Sequence, residues 1–145
     1  MSSMYSLFKT DTSLEQSGVY LDYGTFRVKI ARAGGANKRY AKLLETKTRP
    51  YRRAIETETL DNNRGQALLQ EVFAEAVILN WEVKDEAKDT WKAGIEGPNG
   101  DILPYTTENV LAAFRLLPDL FLDIQSQASK VALFREDAQE VASGN

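Results

Sequence analysis

The chain contains neither cysteine nor histidine. The first absence rules out disulfides, thiolate nucleophiles and sulfur ligands for zinc. The second removes the usual general base and the commonest transition-metal ligand. Catalysis would have to run on carboxylates, Lys, Tyr, Ser or Thr. Asp85 and Asp89 make a formal acid pair, but nothing beside them in the sequence marks a perturbed pKa. The expectation is a protein that is not an enzyme and uses no cofactor or metal. Long apolar runs are missing as well: stretches such as residues 76–79 are far too short to cross a bilayer. The opening residues lack the basic-then-apolar layout of a secretory signal, so an intracellular protein is expected.

What is present is ordinary in amount and uneven in placement. The 145 residues suit one domain with a sizeable core, and 43% hydrophobic with 27% charged residues is normal for a globular chain. The net charge of −3 hides a division. Residues 1–55 hold eleven Lys/Arg against four Asp/Glu, and residues 56–145 hold seven against seventeen, so the halves carry +7 and −10. Such halves can neutralise each other within one fold or between copies, or offer opposite faces to different partners.

Residues 1–17 are polar and aperiodic and read as a loose N-terminal arm. Residues 18–32 alternate on both sides of Tyr23-Gly24, with Val19, Leu21, Phe26, Val28 and Ile30 on one side, which predicts a β-hairpin with one buried face. Gly34-Gly35 lacks the spacing of a phosphate-binding loop and reads as a turn. Tyr40, Leu43 and Leu44 predict a helix over 37–48 ahead of Pro50. Lys38, Arg39, Lys42, Lys47, Arg49, Arg52 and Arg53, interleaved with Tyr40 and Tyr51, have the makings of a nucleic-acid surface. The acidic whole, with a pI near 5.1, argues instead for a solvated face or an acidic partner.

Asp61 or Asn62 can cap the clearest helix, 64–81, whose apolar face is Leu68, Leu69, Val72, Phe73, Ala76 and Val77 and which is expected to end at Trp81. Glu71 and Glu75 lie four apart and could pair over a metal, but a solvated face is the better reading. Residues 82–90 read as a charged, exposed stretch. Gly97-Pro98-Asn99-Gly100 marks a second, short hairpin between Ile95 and Leu103. A threonine cap and Glu108 open a helix with the stripe Val110, Leu111, Phe114 and Leu117. Pro118 restarts the chain as a last long helix through Leu120, Phe121, Ile124, Ala128, Val131 and Phe134, ahead of a frayed tail over 135–145. The expected fold is α+β and helix-dominated: an N-terminal β-hairpin and a short second hairpin packed with about four helices, in one domain over 18–145.

The order of several segments resembles the tail assembly chaperones of long-tailed, siphophage-type bacteriophages. They are Ile30-Ala31-Arg32, Asn37-Lys38-Arg39-Tyr40, Arg49-Pro50-Tyr51-Arg52-Arg53, Asn80-Trp81, the run Gly100-Asp101-Ile102-Leu103-Pro104-Tyr105-Thr106, Glu108-Asn109 and Pro118-Asp119-Leu120. The stretch 84–96 is longer than the resemblance leads one to expect. The resemblance implies a non-enzymatic role in virion morphogenesis, holding the tape measure protein soluble in the host cytoplasm while tail tube subunits polymerise around it. It also implies absence from the mature virion, and a frameshifted longer form that recruits tail tube protein. The residues themselves allow a homo-oligomer. They give no reason to expect a membrane, and little to expect nucleic acid. The partner contacts expected are Phe121, Val131 and Phe134 on the last helix, the least certain of its stripe to be covered, with Arg49, Arg52 and Arg53 on the basic segment. The competing readings are a nucleic-acid adaptor using residues 38–53 and a structural tail or neck protein.

Overall fold

A computed structural model describes residues 3–136; the outer part of the expected frayed tail, 137–145, lies outside the described residues. The fold is α+β, as expected: a four-stranded antiparallel sheet in the order β1-β2-β3-β4, with helices packed on one face. β1 (Val19–Asp22) and β2 (Phe26–Ile30) are the predicted hairpin. Alternation sends Val28 and Ile30 into the core and Arg27 and Lys29 to the opposite face.

β2 pairs next with a strand that the sequence reading did not contain. β3 (Ile78–Asp85) sets Trp81 opposite Val28 and Glu82 opposite Arg27. It turns at residues 86–89, where Asp89 takes a left-handed φ of +53°, and returns as β4 (Thr90–Ala93). Trp81 therefore does not end a helix, and 82–90 is the turn and flanking strand of a hairpin, with 86–90 exposed as expected. Two physical causes explain the difference. The helix before it is stopped from a distance: the Asn37 side-chain amide donates to the Ala76 carbonyl at 2.9 Å, and the β-branched pair Val77-Ile78 leads into the strand. The register also slips at Lys29/Ile30, so that Lys29 faces Asn80 while Ile30 faces Ile78. Leu79 is the extra residue of a bulge, and it breaks the alternation that marks a strand.

α3 (Lys38–Thr48) starts at Asn37, whose side-chain Oδ1 accepts from the Tyr40 backbone amide. Asn37 is buried, and its amide also reaches the Arg32 carbonyl, so its polar atoms are all used. A 3-10 turn at Arg49–Tyr51 and the short α4 (Arg52–Glu56) lead to α5 (Asn62–Ala76), capped by Asp61. Phe73 of α5 centres an aromatic cluster, 5.8 Å from Tyr40 and 5.4 Å from Phe121, with Phe114 a further 5.1 Å from Phe121. Each such pair adds about 0.5–1.5 kcal/mol beyond area burial.

α6 (Thr107–Leu116) has the predicted threonine cap, Thr106 accepting from the Asn109 amide at 3.0 Å. α7 (Pro118–Ala128) has the predicted first-turn proline. The single long helix expected through Phe134 stops at Ala128, whose carbonyl accepts from the Ala33 amide at 2.9 Å, and resumes as α8 (Val131–Phe134).

The N-terminal arm is also structured. α1 (Met4–Phe8) begins with a reciprocal Ser3–Ser6 capping box, and α2 (Thr12–Ser17) is capped by Asp11. Glu15 of α2 is only 1% exposed; its carboxylate accepts from Arg32 Nη1 at 2.5 Å and from the Thr10 hydroxyl at 3.0 Å. The Asp11 amide donates to the Phe134 carbonyl at 2.8 Å, and the Glu136 amide to the Lys9 carbonyl at 3.2 Å. Residues 9–17 thus form a clasp joining the end of β2 to α8, built on partners too far apart in sequence for periodicity to show.

Candidate functional site

Two short strands close one end of the sheet. β5 (Ile95–Glu96) and β6 (Ile102–Leu103) are the second hairpin, turning through Gly97-Pro98-Asn99-Gly100. Gly94 lets the chain swing into it at φ +94°. A Cβ there would lie 2.5 Å from Ile102 Cγ2 and 2.9 Å from the Leu103 carbonyl oxygen, so only glycine fits. Trp81 Nε1 donates to the Leu103 carbonyl at 3.2 Å, and the Tyr105 hydroxyl donates to the Ile78 carbonyl at 2.7 Å. Both bonds fasten the hairpin across the sheet.

Between this hairpin, the inner face of the sheet, α6 and the start of α7 runs an apolar groove of about 510 Å³. That is within the range of roughly 300–1,000 Å³ typical of ligand sites. Its floor includes Val28, Trp81 and Phe114, and its edge carries Leu116 and Leu117, which are 66% and 55% exposed. The charged residues among its described lining are Glu96 and Asp101, with no Lys or Arg. The groove therefore suits an apolar segment flanked by positive charge.

Leu117, expected in the buried stripe of α6, is exposed, and so is Leu116 beside it. Both leucines lie where α6 ends, Leu116 as its last residue and Leu117 as its C-cap, so the helical period no longer sets their direction. Phe121 and Phe134, expected to be the least covered of the last helix, are 1% and 0% exposed. Phe73 and Phe114 cover the first, and the clasp holds the backbone at the second, so neither is available to a partner. Val131 is half-buried.

Arg49, Arg52 and Arg53 are exposed, and two of them are committed: Arg49 and Arg52 both bind Glu45. The hydrogen bond from Arg49 holds the Glu45 carboxyl below its usual range. The aromatics of the basic segment point elsewhere, Tyr40 against Phe73 and Tyr51 beneath Arg64 at 5.9 Å. Stacking partners for bases are therefore engaged within the protein itself. Glu75 pairs with Lys47 at 3.6 Å, Asp89 with Lys84 at 2.7 Å and Asp85 with Lys92 at 3.6 Å. The Lys84 hydrogen bond lowers the pKa of Asp89. Among the described residues no group of three or more carboxylates is placed to hold a metal.

The outer face of the sheet carries a ladder of its own. The Arg27 guanidinium lies 3.9 Å from the Tyr20 ring and 4.5 Å from Trp91, and its Nη2 is 2.6 Å from Glu82. Beside the groove, Tyr23 stacks on Phe26 at 4.8 Å and donates its hydroxyl to Asp123 at 2.6 Å. Burial, and then Asp123, push the Tyr23 pKa well above that of a free phenol. Burial also raises Tyr40, and raises Tyr105 against the opposing pull of Arg39.

Among the described residues no helix is long and apolar enough to cross a membrane. No curated protein and no solved structure matches the chain. One family does match, over residues 35–145, a span that takes in α3 through α8 and all of the groove's α6–α7 wall. On that match the chain belongs to the YdaY prophage protein family and is a protein of bacteriophage origin.

Proposed function

We propose that this prophage protein is a tail assembly chaperone, which binds the tape measure protein and keeps it soluble while the tail tube polymerises. The observation that carries the reading is the groove: an apolar slot with exposed leucines at its edge and carboxylates, but no cations, in its lining. Adjacent exposed leucines at the edge of an apolar groove are the makings of an interaction site. An amphipathic helix laid into such a slot buries its apolar stripe and sets basic flanks against Glu96 and Asp101. The bacteriophage origin is compatible with this reading, and the order of segments resembles that of tail assembly chaperones.

On this reading the protein is not an enzyme, acts in the host cytoplasm and is left out of the finished particle. Co-expression with the tape measure protein of the same prophage tests it. The expected result is a soluble complex, lost in the double variant Leu116→Ser/Leu117→Ser. A client equally soluble alone would overturn the proposal. Mass spectrometry of purified particles separates it from a structural tail or neck protein, which would be found in them.

A further inference from the structure

A second uncovered apolar cluster lies at the opposite end of the chain from the groove's leucines. α1 exposes Met4 at 67%, Tyr5 at 67%, Leu7 at 41% and Phe8 at 69%. Positions 4, 7 and 8 are neighbours on one helix face, so Met4, Leu7 and Phe8 form a short stripe. The Ser3–Ser6 capping box holds the helix despite its five residues. It is a formed knob that none of the described residues covers.

The knob stays away from its own groove. The clasp ties Lys9 and Asp11 to Glu136 and Phe134, so α1 leans on α8, and none of its residues lines the groove. The two features match in chemistry. Both are apolar, α1 contains no carboxylate, and it is followed by Lys9, whose exposed pair with Glu136 at 3.6 Å is weak. The groove offers Glu96 and Asp101 and no cation.

We propose that α1 of one copy seats its Met4–Leu7–Phe8 stripe in the groove of a second copy, so that the protein associates head to tail. Knob and groove are different patches of one chain, which makes the contact heterologous; it propagates into a ring or an open chain rather than stopping at a two-fold dimer. The contact is small, so the association is weak and concentration-dependent. A client helix competes with α1 for the same slot. Self-association then covers the leucines until a client displaces it.

Sedimentation velocity over a concentration series tests this with three proteins: the full chain, the knob variant Met4→Ser/Phe8→Ser and the groove variant Leu116→Ser/Leu117→Ser. The full chain should form species larger than dimers. Each variant should self-associate on the order of a hundredfold more weakly. Mixed together, the two variants should form 1:1 dimers and nothing larger, because one intact knob meets one intact groove. A monomeric full chain at its highest soluble concentration would overturn the proposal. So would a groove variant that still associates, which would mean that knobs pair with knobs, or a knob variant that still associates, which would mean another occupant. The knob variant keeps its groove and should still solubilise the tape measure protein. If no variant holds the client while sedimentation behaves as described, the chaperone reading fails and head-to-tail association stands.

Discussion

The clasp and the groove are built on opposite terms. In the clasp, a buried carboxylate meets a guanidinium and a hydroxyl, and the backbones of residues 9, 11, 134 and 136 satisfy one another. Its chemistry is closed. In the groove, apolar side chains that could have been covered are left at the surface. What is complete holds the molecule together, and what is incomplete is free to meet something else.

The largest effect should come from opening the clasp. Glu15→Ala leaves Arg32, whose side chain is only 20% exposed, without its counter-charge. Breaking a buried pair on one side costs about 3–5 kcal/mol, so thermal unfolding should shift down by roughly 10 °C. A variant that melts with the parent would mean that water replaces the carboxylate. Next comes Gly94→Ala, which forces a side chain into a left-handed position against the Leu103 backbone. Urea unfolding should show a loss of about 1–3 kcal/mol, and the groove should lose its hairpin wall.

Alkaline pH should act between these extremes. The phenols of Tyr23, Tyr40 and Tyr105 have raised pKa values in the folded chain, so the folded state keeps protons that the unfolded state releases. Their contribution is full below the ordinary phenol value of about 10 and declines as pH climbs past it. Melting temperatures measured from pH 8 to pH 11, on either side of that value, should fall at the upper end, and less steeply in Tyr23→Phe. The smallest effect on stability should come from Leu116→Ser/Leu117→Ser, within about 0.5 kcal/mol by denaturant titration, since both side chains are already wet. That variant loses binding and keeps its fold; the clasp variant loses stability and leaves the groove lining unaltered.

How much of this could be read from the sequence follows from the range of the interactions. The first hairpin, the Gly97–Gly100 turn, the Thr106 cap and Pro118 at the first turn are local signals, and the structure has all of them. The strand β3 was hidden because its defining contacts are remote. Asn37 stops α5 from 39 positions away, and Leu79 spoils the alternation. The clasp was hidden for the same reason, with Arg32 lying 17 positions from Glu15. The groove was legible in part. Its hairpin and helix were expected, but the last helix was credited with Phe121 and Phe134, both of which the core encloses. A periodic stripe names the residues that want cover without saying which of them obtain it.

The placement of Trp81 and Trp91 in one hairpin gives the molecule two reporters. They are the only tryptophans in the chain, and they lie on opposite faces of the sheet. Trp81, 3% exposed, lies at the floor of the groove with its indole N–H on Leu103; Trp91 is outside, against Arg27. A segment entering the groove changes the surroundings of the first indole and leaves the second alone. With Trp91→Phe, the remaining emission reads groove occupancy; with Trp81→Phe, it reads the outer face. The protein is thereby equipped to report, without any added label, which of its faces a partner has reached.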